Sequence, residues 1–166
     1  MPTMQRRPLQ FGARRLGAGF TLIEILIAIV IVGVLASVAF PTFIDQLRKS
    51  RRSEAFTALA SMQQAQERWR SNQANYATTL SQLGVTSSTT SSGYYTLSVS
   101  GGTSADPVDP ATGYFVTAEG VSGTSQGNDT QCSKLSVRAD RGSITYAGCG
   151  SCSTFTYSSN DRCWSR

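Results

Sequence analysis

Apolar side chains run almost without a break from Phe20 to Phe40, interrupted only by Thr21, Glu24 and Ser37. At about 1.5 Å of rise per residue, a helix of that length matches the roughly 30 Å hydrocarbon core of a bilayer. The pattern therefore predicts a membrane-spanning helix, the one single-segment structure that satisfies its own backbone groups in lipid. Beyond Pro41 the pattern changes from continuous to periodic. Phe43, Leu47, Ala55, Leu59, Met62 and Trp69 recur at spacings near three and four, with Gln66 breaking the series, which predicts one buried stripe on a continuing helix. The whole element, Phe20 to Asn72, is expected to run about 53 residues, roughly 80 Å if unbroken. Gly33 and Pro41 are its weak points, because glycine lowers helix stability and proline removes a backbone bond and crowds the preceding turn.

After Asn72 the composition shifts to Ser, Thr, Gly and Tyr, and a Ser/Thr-rich stretch from Thr86 to Ser92 reads as an exposed loop. Tyr95, Leu97 and Val99 alternate with Thr96 and Ser98, the pattern of a half-buried strand. Gly101, Gly102, Pro107 and Pro110 mark a turn-rich connection to a second strand, Tyr114 to Ala118. Leu135, Val137 and Ala139 predict a third, and Asp140-Arg141-Gly142 is a hairpin turn leading to a fourth with Ile144 and Tyr146. The expected fold class is α+β, a long N-terminal helix packed on a small antiparallel sheet. Its segments are a basic leader at 1–19, a transmembrane half-helix at 20–41, an amphipathic half-helix at 42–72 and a globular head at 73–166.

The net charge of +5 over 166 residues changes this picture less than it suggests. Arg6, Arg7, Arg14 and Arg15 all precede the apolar run, and without them eleven basic residues face ten acidic ones. Arg48, Lys49, Arg51 and Arg52 flank the other end of the run, so charge bias alone does not orient it. Those four either form a solvated face or bind acidic residues of a neighbour, and the solvated face is the expectation, because clustered charges on a helix are usually exposed. A secretory signal is the competing reading, because Ser37-Val38-Ala39 offers small residues to a leader peptidase. Glu24 inside the apolar core and Pro41 close behind the site argue against it.

Glu24 is the anomaly. A carboxylate in such a run costs on the order of 2.5 kcal/mol at mid-bilayer and less near an end, so it marks either a tolerated acid near the headgroups or a function with a partner. The junction Gly19-Phe20-Thr21-Leu22-Ile23-Glu24, with a short basic leader before it and an apolar helix after it, resembles the prepilin signature of type IV pilins and type II secretion pseudopilins. The resemblance implies a prepilin peptidase cutting after Gly19, methylation of the new amine on Phe20, and retention of the apolar helix. It implies a subunit held in the inner membrane with its head in the periplasm. There the assembly machinery would transfer it, with other pilin subunits, into an extracellular pilus serving adhesion or twitching motility. Glu24 would pair with the N-terminal amine of a neighbour, which leaves no net buried charge in the filament core. In assembled pilins the interval corresponding to Gly33 to Pro41 is commonly stretched or melted, and Tyr76 to Gly84 resembles the segment that follows the long helix.

All four cysteines, Cys132, Cys149, Cys152 and Cys163, lie in the last 35 residues. An even count in a domain outside the cytoplasm argues for two disulfides over a zinc site, and the spacing alone leaves three pairings open. The likeness to pilins, whose C-terminal region is closed by a disulfide, implies Cys132 with Cys163. Cys149 and Cys152 would then pair locally, with Cys132–Cys149 and Cys152–Cys163 as the other arrangement. Cys163-Trp164 near the terminus resembles minor pilins of the PilE and ComP type.

Chemistry is otherwise sparse. There is no histidine, the commonest general base and metal ligand, and nothing assembles into a nucleophile, base and oxyanion site. The Cys149-Gly150-Ser151-Cys152 motif is not followed by the amphipathic helix that a thioredoxin-like role requires. Neither catalysis nor a cofactor or metal is expected. The ComP resemblance implies DNA as a possible partner, through Lys134, Arg138, Arg141, Arg162 and Arg166, with Tyr146, Tyr157 or Trp164 as stacking faces. Against it, those five basic residues face six acids beyond Asn72, unlike a strongly basic binding domain. A structural pilus subunit, with a type II pseudopilin as rival, is the primary expectation.

Overall fold

A computed structural model describes residues 19–101 and 108–164. Its elements in order are helix α1 (Leu22–Arg70) and strands β1 (Tyr95–Ser100), β2 (Gly113–Gly120), β3 (Lys134–Asp140) and β4 (Ser143–Cys149). The chain divides into two compact units, Met1–Pro41 and Thr42–Arg166, and α1 contributes to both.

In the first unit the helix begins with a local signal. Thr21 Oγ1 accepts the Glu24 backbone N–H at 3.2 Å, and an acid three residues after a Thr cap is the capping-box spacing. Glu24 also lies in the first turn, where negative charge complements the helix dipole. The helix is therefore two residues shorter at each end than the apolar pattern predicted. Its backbone is helical through both Gly33 and Pro41. The large apolar side chains from Phe20 to Phe40 are 49% to 83% exposed. Among the described residues α1 is the one helix long and apolar enough to cross a membrane.

In the second unit four antiparallel strands form a meander in the order β1-β2-β3-β4. Alternate residues of each strand point to opposite faces. One face carries Tyr95, Leu97, Tyr114, Val116, Ala118, Leu135, Val137 and Ala139, which make a single core with Ala55, Leu59 and Met62 of α1 and with Cys132 and Cys163. The β3–β4 hairpin pairs Asp140 with Ser143, leaving Arg141 and Gly142 as the two-residue loop with φ of 48° and 78°. Positive φ at both positions is the type I′ turn whose twist matches its strands, and glycine adopts it without strain.

Three expectations need correction. Phe43 is 64% exposed and Leu47 and Trp69 are only partly buried, so the head's apolar stripe runs from Ala55 to Gln66. Gln66 does not interrupt that stripe but completes it. It is fully buried, donates Nε2 to Ala77 O at 2.8 Å and accepts Ala77 N–H at 2.9 Å. Its amide thus substitutes for a backbone partner and ties the segment after α1 onto the helix. Thr90 is buried inside the loop expected to be exposed, with its hydroxyl accepting Tyr95 N–H at 3.3 Å.

Candidate functional site

Gly19 and Phe20 precede the first helical turn, and Phe20 is 77% exposed. A Cβ added to Gly19 or to Gly33 would meet nothing within 4 Å, so packing within the subunit demands glycine at neither position. Glu24 is exposed and is the single ionisable side chain between Phe20 and Phe40. The sequence motif is thus displayed on an uncovered apolar helix face.

The basic run after that helix half is not a solvated face. The Arg52 guanidinium grips Asp129 Oδ2 at 2.5 Å and 3.1 Å, with the two side chains only 11% and 3% exposed. Asp129 Oδ1 accepts the N–H groups of Gln131 and Cys132 at 3.0 and 3.1 Å. Burial alone would raise the pKa of this carboxyl. The bonds from Arg52, Gln131 and Cys132 and the Arg52 charge outweigh that and hold it below the usual carboxylate range. Arg51 bonds Ser125 Oγ and lies 4.4 Å from the Tyr94 ring centroid. Arg48 donates to Ser125 O at 3.3 Å. Lys49 is the member of the run that stays exposed. The β2–β3 connection is thereby clamped onto α1. Gln126, fully buried, adds a bond from Nε2 to Tyr95 Oη at 2.6 Å. Burial raises the Tyr95 pKa, against the opposing effects of that bond and the Arg52 charge.

The C-terminal region closes through Cys132–Cys163 and Cys149–Cys152, with sequence separations of 31 and 3. Cys132 and Cys163 sit in the core, each 1% exposed. Two glycines permit this path. A Cβ on Gly148 would overlap Cys163, and one on Gly150 would overlap the Thr130 backbone. Ser133 Oγ donates to Gly150 O, pinning the small cysteine loop beside the segment that carries Asp129. The chain then pairs Ser158 with Tyr146 beside β4. From there Tyr157 reaches across the outer sheet face to Ser136 Oγ at 2.9 Å and to the Phe115 ring at 5.5 Å.

The basic residues singled out for DNA are dispersed and mostly paired. Lys134 and Arg138 share the outer face of β3; Lys134 bridges Glu119 at 2.7 Å and Arg138 bridges Asp140 at 3.4 Å. Arg141, on the hairpin, is 82% exposed and 3.8 Å from Asp140. Arg162 is exposed beside Cys163, and Arg166 lies outside the described residues. The expected stacking faces are committed inside the head. Trp164 packs at 4.8 Å on Phe56 and 4.7 Å on Tyr146 and donates its indole N–H to Ala147 O.

A membrane-compatible N-terminal helix, its second half buried against a four-stranded antiparallel sheet and a disulfide-closed C-terminal region, defines the pilin-like class of protein. Residues 14–40 match the prokaryotic N-terminal methylation motif. Residues 41–136, more than half of the chain, match the family described as type IV minor pilin ComP, DNA uptake sequence receptor, and the chain belongs to that family. It is 39% identical over 66 residues to the type IV major pilin protein PilA of Myxococcus xanthus, covering 40% of this chain and 30% of that protein. It is 38% identical over 81 residues to a fimbrial protein of Neisseria meningitidis, covering 49% and 48%. With type II secretion system core protein G of Escherichia coli it shares 34% over 61 residues, covering 37% and 42%. The chain thus spans less than half the length of these relatives.

Proposed function

We propose that this chain is a minor subunit of a type IV pilus, processed between Gly19 and Phe20, methylated on Phe20 and polymerised through α1. The observation that carries the reading is the exposed apolar surface from Phe20 to Phe40 interrupted by the single charge of Glu24. Such a surface needs lipid before assembly and sister helices afterwards. Glycines at 19 and 33 that the subunit's packing does not require fit demands imposed from outside, by a peptidase at the first and by helix-to-helix contact or stretching at the second, up to Pro41. The subunit waits in the inner membrane with its head in the periplasm until the assembly machinery extracts it. The head's match to the minor pilin family favours this over a type II pseudopilin.

Glu24→Leu tests the pairing role. The variant inserts and is cleaved normally but is absent from sheared fibres, because the neighbour's ammonium is left without a counter-charge in an apolar core. Normal incorporation of that variant would refute the role of Glu24.

The family's description as a DNA uptake sequence receptor supports a second role, capture of DNA by the exposed head. Lys134, Arg138, Arg141, Arg162 and Arg166 are its candidate contacts. The ion pairs to Glu119 and Asp140 would have to be exchanged for phosphates, so binding should be weak and strongly salt-dependent. Retention of DNA that falls steeply with added salt supports this role. No retention at low salt overturns it.

A further inference from the structure

At the end of the head where α1 stops, a shallow, open cleft of about 440 Å³ lies between the last turns of the helix and the segment after it. Trp69, Arg68, Asn72, Gln73, Gln82 and Leu83 line it. None of them belongs to the buried core of the head. We propose that this cleft is a saccharide-binding site, with the Trp69 ring as the platform for a sugar face and Arg68 as the reader of a carboxylate on an acidic sugar.

The polar groups are already oriented. Gln82 Oε1 accepts the N–H groups of Thr78 and Thr79 at 2.9 and 3.1 Å, which fixes its amide and leaves Nε2 as a donor. Asn72 Nδ2 donates to Arg68 O at 3.3 Å and Ser71 Oγ at 3.1 Å, leaving Oδ1 as an acceptor. The cleft's lining thus offers both a donor and an acceptor, the complement of a hydroxyl, which is both. Among the described residues, the Arg68 guanidinium and the Trp69 ring make no hydrogen bond, ion pair or ring contact, although Trp69 is partly buried in the cleft wall. An aromatic ring bordered by planar amides and a guanidinium suits a ligand with an apolar face and a hydroxylated edge.

Charge separates this ligand from a nucleic acid strand. The other nearby cation, Arg70, is spent on Gln73 O at 2.7 Å, Ala111 O and the Tyr76 ring at 5.6 Å, and Glu67 is exposed on the same turn. One uncommitted cation can read one carboxylate but cannot track a phosphate backbone. The inference does not depend on filament assembly.

The test uses the full chain in a zwitterionic detergent without a sugar headgroup, with 3′-sialyllactose, lactose and a mixed-sequence single-stranded oligodeoxynucleotide as probes. Saturation-transfer NMR should show transfer to both sugars, tighter for sialyllactose. Trp69→Ala should weaken both by about ten-fold, the worth of an aromatic contact of about 1.4 kcal/mol, and Trp69→Phe should restore most of it. Arg68→Gln should weaken sialyllactose and spare lactose. Near-UV dichroism from Trp164, in another part of the head, reports whether each variant is folded. If Trp69→Ala does not fold, Trp69→Phe and Arg68→Gln decide. No transfer to either sugar, a folded Trp69→Ala variant that binds as well as the parent, or Trp69-dependent binding of the oligonucleotide alone would overturn the assignment.

Discussion

Replacing Asp129 by Asn probes the clamp between α1 and the β2–β3 connection with little change of shape. The side-chain carbonyl of Asn can still accept the Gln131 and Cys132 N–H groups that Asp129 Oδ1 binds. What is lost is the charge beside Arg52, a pair whose side chains are only 11% and 3% exposed. Removing one member of a buried pair costs roughly 3 to 5 kcal/mol, because the other charge stays buried without compensation. With the loop bonds kept, the lower end applies, about 3 kcal/mol, or a fall in melting temperature of about 10 °C for a unit of this size. Asp129→Ala also strands the two N–H groups and should cost about 1 to 3 kcal/mol more. Near-UV dichroism is the suitable assay, since detergent holds the apolar half of α1 helical and masks head unfolding in the far-UV signal. The pKa of Asp129 is depressed in the fold. Its contribution is therefore complete above the ordinary carboxylate range and is lost as pH falls through the depressed value. The parent should lose stability on acidification in that window, and Asp129→Asn should lose correspondingly less. An Asp129→Asn variant that costs under about 1 kcal/mol, the range of an exposed pair, with an unchanged acid response, would refute the reasoning.

Other outcomes follow from the same structure. Gln66→Leu leaves the Ala77 N–H and carbonyl without partners inside the head and should cost about 2 kcal/mol in a denaturant titration, despite adding apolar surface. Gly148→Ala drives a Cβ into Cys163 and should lower the melting point by the equivalent of about 1 to 3 kcal/mol. Paired Ser substitutions at Cys132 and Cys163, whose bond closes a separation of 31 residues, should cost about 3.7 kcal/mol by loop entropy. The same change at Cys149 and Cys152, with a separation of 3, should cost about 1.5 kcal/mol on that relation, so comparing the two melting points tests which bond carries the head.

Elements whose causes are local were legible in the sequence, and those whose causes are distant were not. The alternation around Leu97 and Val137 locates β1 and β3, the run Tyr114 to Ala118 locates β2, and Asp140-Arg141-Gly142 announces the turn into β4, because pleat and turn geometry act over a few residues. The partners of Arg48, Arg51 and Arg52 are not legible in sequence, because a charge run looks solvated until its partners are known. Ser125 and Asp129 lie more than seventy residues away in an irregular connection, with no periodic pattern to place them. Gln66 looked like a defect for the same reason: the backbone groups it serves belong to a non-repetitive segment. The Thr21 cap was readable, since Thr followed three residues later by Glu is a local signal, but the capping role was hidden behind the stronger membrane pattern. Of the candidate site, the N-terminal motif is visible in sequence because it is one contiguous run, Gly19 to Glu24, at the head of the apolar segment. The cleft at Trp69 is not, because α1 and the segment after it must fold together to form it.

The most direct test is intact-mass and N-terminal analysis of filaments sheared from cells that express this chain. The account predicts that the chain is present as a minor component beginning at Phe20, with one methyl group on its amine and α1 retained. Its absence from filaments, or a mature protein that begins at Phe40 with the apolar segment removed, would contradict it.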